Sequence, residues 1–322
     1  MMADTAKNAK RVAVVFPGQG SQSVGMMNEL AEQFSEVQAA FDEASAALGF
    51  DLWEVTQDET RLNKTEYTQP ALLTASIAIW RILQDKLSAK DAAPMYLAGH
   101  SLGEYSALVA AGVLSLGDAA KLVHERGRLM SEAVSGMDTQ MAAVLGLEDE
   151  QVASLCEEAS QNAGIVNPAN FNSPGQVVVA GTQVGVAAVL GAVEALGKKA
   201  VPLKVSVPSH CELMNPASDA LAALLGETNF NEPQIAVIQN RHAKVHSDLA
   251  EIKTALIEQL SMPVQWAKTM QKMAACDVEL IIECGPGNVL SNLAKRQAEP
   301  IAALPSDKLA RLEKLEAALS EE

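Results

Sequence analysis

Leu97-Ala98-Gly99-His100-Ser101-Leu102-Gly103-Glu104 sits between an apolar run from Met95 to Ala98 and an alanine-rich segment from Tyr105 to Gly112. The run reads as a strand and the segment as a helix, so Gly99-His100-Ser101-Leu102-Gly103 is a G-x-S-x-G sequence on a strand-to-helix turn. A serine there is held in strained backbone geometry, and the flanking glycines remove side chains that would clash. Its hydroxyl projects at a helix N-terminus, where N–H groups without intrahelical partners can stabilise an oxyanion. The same letters also describe an ordinary glycine-rich βα turn, so the rest of the chain must supply the partners of a nucleophile.

A chain of 322 residues with 48% apolar content can bury one large domain or two unequal ones. Forty acidic residues against 24 basic ones, a net charge of −16, argue against a broad nucleic-acid or anionic-membrane surface. Met1 to Lys10 is polar and lacks the apolar core of a signal peptide, and no apolar run reaches the length of a membrane span. A cytoplasmic protein is expected, with no membrane or nucleic-acid partner. Cys156, Cys211, Cys276 and Cys284 show neither C-x-x-C pairing nor zinc spacing, so reduced thiols and no metal site are expected.

On the N-terminal side of the elbow, Arg11 to Phe16 reads as a buried strand ending at Pro17-Gly18-Gln19-Gly20-Ser21-Gln22. A dinucleotide fingerprint is excluded because Ser23 stands at the third glycine position and no suitable βαβ unit follows. Helical patterns cover Met26 to Glu32, Phe34 to Leu48 and Gln69 to Leu87, the last opened by Pro70 near its first turn. On the C-terminal side, Ser115 and Asp118 predict a capped helix running to about Val134. From Gln140 to Lys204 the order becomes βαββαβ, that of a ferredoxin-like unit, with the turn Asn172-Ser173-Pro174-Gly175 between its central strands. The expected fold is α/β: a hydrolase-like domain with a mostly parallel sheet, residues 1–136 and 207–322, carrying a ferredoxin-like subdomain over residues 137–206. Beyond His210, helices near Glu212 to Leu225, Leu249 to Leu260 and Trp266 to Ala275 alternate with strands at Ile235 to Ile238 and Val278 to Glu283. Cys284-Gly285-Pro286-Gly287-Asn288 then turns into a helix from Val289 to Lys295, and Leu309, Leu312, Leu315 and Leu319 recur at helical spacing in a docked or frayed C-terminal helix.

A serine hydroxyl needs a base. Of the five histidines, His210 in Ser206-Val207-Pro208-Ser209-His210 lies where the chain returns to the main domain, near the cleft between domains. A histidine capping the following helix is the alternative. His100 adjoins Ser101 but points away across the turn and supports it by hydrogen bonding; His124, His242 and His246 read as surface residues. No acidic residue stands out to orient His210, but a backbone carbonyl can hold an imidazole tautomer equally well, so a Ser-His dyad is acceptable. Arg126 and Arg128 lie on opposite sides of one helix, with Met130 on the Arg126 face, so only one of them enters an apolar cleft. A guanidinium there suits a carboxylate; a solvated helix arginine is the alternative.

Six ordered motifs join at this point: Phe16 to Gln22, Gly99 to Tyr105, Arg126-Gly127-Arg128-Leu129-Met130, Val207-Pro208-Ser209-His210, Pro263-Val264-Gln265-Trp266, and Glu283-Cys284-Gly285-Pro286-Gly287. In order and spacing they resemble the malonyl-CoA:acyl carrier protein transacylases, acyltransferases of fatty acid and polyketide synthesis, over Arg11 to Arg296. The resemblance implies Ser101 as acyl nucleophile and His210 as its base, with Gln19 and Leu102 supplying oxyanion N–H groups. It further implies Arg126 as the malonyl-carboxylate site, the Gln265 carbonyl as the group orienting His210, and Asn240 as a further cleft residue. It implies ping-pong transfer from malonyl-CoA to the phosphopantetheine thiol of acyl carrier protein by a monomer without a cofactor of its own.

A plain serine hydrolase or thioesterase shares the elbow and dyad but gives no reason for an arginine in the cleft, and a non-catalytic carrier-binding protein needs none of them together. A polyketide-type acyltransferase of related acyl-CoA substrates remains a further alternative. Carrier proteins are typically acidic, as this chain is, so a local basic patch from Lys198, Lys199, Lys204 and Lys268 is expected near the cleft.

Overall fold

The computed structural model describes residues 10–205 and 207–320. The polar N-terminal stretch before Lys10, and Ser206 at the inferred domain boundary, lie outside the described residues.

In chain order the first half runs β1 (Val12–Phe16), α1 (Asn28–Ala31), α2 (Ser35–Leu48), α3 (Leu52–Gln57), α4 (Glu59–Leu62), α5 (Thr65–Ser88), β2 (Tyr96–Gly99), α6 (Gly103–Ala110) and α7 (Leu116–Ala133). A middle segment follows as β3 (Thr139–Leu145), α8 (Asp149–Asn162), β4 (Val166–Ser173), β5 (Gln176–Thr182), α9 (Gln183–Ala195) and β6 (Lys199–Pro202). After a 3₁₀ turn at Glu212–Met214 come α10 (Asn215–Glu227), β7 (Val237–Gln239), β8 (Lys244–Val245), α11 (Leu249–Gln259), α12 (Trp266–Ala275), β9 (Leu280–Glu283), α13 (Val289–Ala294), β10 (Ala302–Pro305) and α14 (Leu309–Ser320).

The larger sheet has the order β10-β9-β1-β2-β7-β8, parallel except for the short edge strand β8. A parallel sheet is covered on both faces, and β1 shows it: Val12, Val14 and Phe16 enter one core while Ala13 and Val15 enter the other. The smaller sheet, β4-β5-β3-β6, is antiparallel. Alternation along β3 sends Ala142 and Val144 against α8 and α9, while Met141 faces Cys211, the neighbour of His210. One face of the smaller sheet therefore lies beside that histidine.

Several elements differ from the sequence reading. Helix α5 begins at Thr65, which leaves Pro70 inside it. Proline offers no N–H to the Glu66 carbonyl four residues back, and His124 Nδ1 fills that gap at 2.8 Å. His124 is thus a half-buried plug between α5 and α7, packed on Phe50 and Tyr67, rather than a surface residue. His246 is also half-buried, with Nδ1 2.8 Å from Glu251. The short α3, α4, β8 and β10 are each too brief to show a period in the sequence. Helix α14 is docked, with Leu312, Leu315 and Leu319 buried in the main core. Among the described residues no helix is long and apolar enough to cross a membrane.

Candidate active site

Strand β2 ends at Gly99 and α6 begins at Gly103, so three residues turn the chain. A side chain on Gly99 would overlap the Gly103 carbonyl, and one on Gly103 would overlap the Phe16 carbonyl at the end of the adjacent strand. This crowding drives Ser101 to φ 53°, a left-handed conformation costly for a residue with a Cβ. The tight turn projects Oγ into a narrow cleft of about 100 Å³ lined by Gln19, Ser101, Leu102, Arg126, Met141 and His210 among others. Two larger surface depressions, one beside Pro286 and one beside Trp80, contain none of these groups.

His210 Nε2 lies 2.8 Å from Ser101 Oγ. Its Nδ1 faces the Gln259 carbonyl at 2.6 Å, which fixes the tautomer with the proton on Nδ1 and the lone pair toward the serine. Burial first, then the charge of Arg126, pushes His210 down to about 3, so the imidazole is neutral near pH 7 and ready to accept a proton. The orienting carbonyl belongs to Gln259 and not to Gln265: the Gln265 carbonyl accepts from Thr269 inside α12, and its N–H donates to Asn240. The Pro263-Val264-Gln265-Trp266 motif therefore sits behind the site, while the functional carbonyl closes the preceding helix.

Arg126 is 1% exposed. Its Nη1 donates to Gln69 Oε1 at 2.7 Å, its Nη2 to Gln259 Oε1 at 3.0 Å, and Nη2 also approaches Ser101 Oγ at 3.4 Å. The guanidinium lies over the Tyr105 ring, 5.5 Å from its centroid. Burial lowers its pKa, yet a guanidinium remains charged. Arg128, on the other side of α7, is exposed toward solvent and pairs with Glu125 and Glu132. The close approach of α7 that delivers Arg126 depends on Gly127, where a Cβ would come within 2.6 Å of the Thr65 carbonyl.

Gln19 and Leu102 both line the cleft. Among the described residues neither backbone N–H donates to a protein acceptor, which leaves two donors beside Ser101. The Gln19 side chain is turned away, toward Thr65 Oγ1 at 3.2 Å. Asn240 is buried and does not line the cleft; it braces the elbow from behind. Its Oδ1 accepts from the Ser101 N–H at 2.7 Å and its Nδ2 donates to the Gly99 carbonyl at 2.6 Å. His100 points away from the serine as expected, with Nε2 2.9 Å from Asn172 Oδ1 on β4 and its ring against Trp266, so it ties the elbow to the smaller sheet.

The sequence reading missed Gln69, Gln259 and Glu104. A signal for Gln259 existed: Ile252, Ala255, Leu256 and Gln259 are the buried positions of α11, so a polar side chain stands in register with an apolar face. Its amide joins the whole site, with Nε2 donating to the Ser101 carbonyl at 3.1 Å and to Glu104 Oε2 at 2.7 Å.

A mixed α/β fold with a strained serine, a buried imidazole and an inward guanidinium has the architecture of an acyltransferase. The acyl transferase domain family matches residues 13–312. The malonyl CoA-acyl carrier protein transacylase of Salmonella typhimurium is 50% identical, covering 90% of this chain and 94% of that protein. That of Haemophilus influenzae is 47% identical, covering 95% and 98%. Among solved structures, FabD from Acinetobacter baumannii superposes with a TM-score of 0.92 at 51% identity, covering 97% of this chain and 98% of that one. A malonyl-transacylase in complex with a type II polyketide acyl-carrier protein superposes with a TM-score of 0.91 at 45% identity, covering 96% and 100%. The chain belongs to the acyl transferase family, among the malonyl CoA-acyl carrier protein transacylases.

Proposed function

We propose that the protein transfers the malonyl group of malonyl-CoA to the phosphopantetheine thiol of acyl carrier protein, through malonyl-Ser101, supplying fatty acid synthesis. The observation that carries this reading is the placement of Arg126 Nη2, 3.4 Å from Ser101 Oγ and buried. An acyl group on Ser101 ends beside a fixed cation, which a carboxylate neutralises and an acetyl group leaves unpaired.

In the first half-reaction His210 Nε2 takes the Ser101 proton while Oγ attacks the thioester carbonyl. The oxyanion is received by the Gln19 and Leu102 N–H groups. Collapse breaks the C–S bond, and the departing CoA sulfur takes the proton from His210. In the second half the carrier thiol gives its proton to His210 and its sulfur attacks the acyl carbon. Ser101 leaves and recovers the proton. The malonyl carboxylate offsets the Arg126 charge and so raises the basicity of His210 when the right substrate is bound. The reaction needs no metal or cofactor of the protein's own.

The order β4-β5-β3-β6 within a βαββαβ segment supports reading residues 137–206 as a ferredoxin-like subdomain on a hydrolase-like domain formed by residues 1–136 and 207–322. We read the enzyme as a cytoplasmic monomer, with Lys198, Lys199, Lys204 and Lys268, all exposed, meeting the acidic carrier protein. Supply of polyketide synthesis is a second reading, favoured by the 45% identity to the transacylase crystallised with a polyketide carrier.

The test is acyl transfer from a panel of CoA thioesters to acyl carrier protein, with water alone as control and peptide mass analysis of the acyl-enzyme. Malonyl transfer with the adduct on Ser101 is the expected result. An adduct elsewhere, or CoA release without a carrier at the same rate, overturns the proposal.

A further inference from the structure

Glu104 follows the elbow on the first turn of α6 and is 0% exposed. The transfer chemistry leaves it unused, for it touches neither Ser101 Oγ nor the cleft. Its Oε2 accepts from Gln259 Nε2 at 2.7 Å and from the Asn240 N–H at 3.1 Å. Among the described residues its Oε1 has no partner in good hydrogen-bond geometry, and the Gln239 side chain lies close enough to favour the ionised carboxylate.

An amide side chain is polar at both ends, and its direction matters here. Gln259 Oε1 holds Arg126 Nη2, whereas Gln259 Nε2 faces the Ser101 carbonyl and Glu104. If the amide turned over, an NH₂ would confront a guanidinium that has only donors to offer. Arg126 would lose an acceptor in a buried site and shift from the position beside Ser101. A carboxyl oxygen opposite Nε2 prevents this, because it favours a donor there and repels the amide oxygen. We propose that Glu104 is a positioning residue for carboxylate recognition: by accepting from Gln259 Nε2 it fixes the amide orientation that holds Arg126 beside the acyl-serine. This rests on the reading of Arg126 as the malonyl-carboxylate site.

Burial raises Glu104 to about 7 against the opposing pull of hydrogen bonds from Asn240, Gln259 and Gln239, and Oε2 accepts from Gln259 Nε2 whether or not Oε1 carries a proton. A glutamine at position 104 keeps an acceptor for Gln259 Nε2 and removes the ionisable group. Methionine fills a similar volume and offers Gln259 no comparable acceptor.

The test measures kcat and KM for malonyl-CoA and acetyl-CoA in Glu104→Gln, Glu104→Met and Arg126→Ala, with folding checked by thermal melts. The expected result is a malonyl/acetyl ratio within about twofold of the parent for Glu104→Gln. For Glu104→Met a fall on the order of tenfold is expected, the size of one hydrogen bond to a charged group. The fall should lie in KM for malonyl-CoA, because binding of the carboxylate is what is lost. A folded Glu104→Met with the parental ratio overturns the inference, and so does a Glu104→Gln that loses the ratio. If Glu104→Met does not fold, Glu104→Ala is read in its place, and Glu104→Gln decides in any case. Arg126→Ala separates the two levels: an unchanged ratio there defeats the carboxylate site itself, whereas a changed ratio there with an unchanged one in Glu104→Met defeats only the role of Glu104.

Discussion

Ser101 and His210 meet at 2.8 Å with both backbones in the left-handed region, at φ 53° and φ 64°. Non-glycine residues seldom adopt this conformation, and here both partners of one proton transfer do. The surrounding structure holds each in place: Asn240 grips the Ser101 N–H, and the Leu260 carbonyl accepts from the His210 N–H at 2.9 Å. Strain at these positions belongs to the device that aims the two side chains, and its cost is borne by the rest of the fold.

That cost can be measured at Ser101. Ser101→Ala and Ser101→Gly both remove the hydroxyl and its contacts, but only glycine relaxes the backbone. We expect Ser101→Gly to be more stable than Ser101→Ala by about 1 kcal/mol, with neither forming an acyl-enzyme. Urea unfolding of the pair checks this, and equal stabilities would show that the turn stores no strain.

The elbow was legible because its requirements are local: two glycines, a serine, a strand before and a helix after. The βαββαβ segment was equally legible, since Ala142, Val144, Val177 and Val179 alternate with residues of the opposite face. What the sequence could not show is how far-apart residues share one guanidinium. Gln69 and Gln259 stand on different helices with no motif between them, and only the packing of α5, α7 and α11 brings both to Arg126. The substitution of Gln259 for Gln265 as the orienting group has the same origin. A short motif attracts attention, whereas a carbonyl at a helix end carries no signature in the letters, because every residue has one.

The acid–base behaviour follows from opposite shifts in two neighbouring buried groups. His210 lies at about 3, below its usual 6.5, so the unfolded chain takes up a proton first and His210 costs stability increasingly as pH falls below about 6.5. Glu104 lies at about 7, above its usual 4.5, so it is the native state that takes up a proton first, and stability is lost as pH rises from about 4.5 through 7. Glu104→Gln removes only the second effect. Its stability relative to the parent should therefore grow between pH 5 and pH 8.5, by an amount on the order of 3 kcal/mol at most. Urea melts at the two pH values test this, and a difference that does not change with pH would contradict it. Acylation of the free enzyme should show no acidic limb centred near 6.5, since His210 is neutral throughout that range.

Helix α7 can deliver Arg126 only by approaching α5 without a side chain at position 127. In Gly127→Ala the new methyl group would lie 2.6 Å from the Thr65 carbonyl and 2.7 Å from Glu66 Cα, both backbone atoms that cannot swing aside. The helices must separate, moving Arg126 away from Gln69 and weakening the His124 plug on the Glu66 carbonyl. A loss of about 1–3 kcal/mol in stability is expected, together with a raised KM for malonyl-CoA. Parental stability and KM would mean that the crossing has room to spare.

Asn240 offers the sharpest test of the support behind the nucleophile, because its amide presents a different atom to each side of the turn. Oδ1 accepts from the Ser101 N–H and Nδ2 donates to the Gly99 carbonyl. In Asn240→Asp the shape is unchanged, but an oxygen replaces the donor and faces a carbonyl oxygen in a buried place. The side chain must then take up a proton or push Gly99 away. Asn240→Ala leaves two buried groups unpaired without adding repulsion, at a cost of about 2–4 kcal/mol for the pair. If the bonds matter chiefly through their polarity, Asn240→Asp should be at least as damaging to stability near pH 8 as Asn240→Ala, and should recover toward the parent at low pH as the carboxyl takes up its proton. Its kcat should fall with the same pH dependence, because the Ser101 backbone is what moves. An Asn240→Asp enzyme that is indifferent to pH, in both stability and kcat, would show that Asn240 fills space behind the elbow and does not hold it.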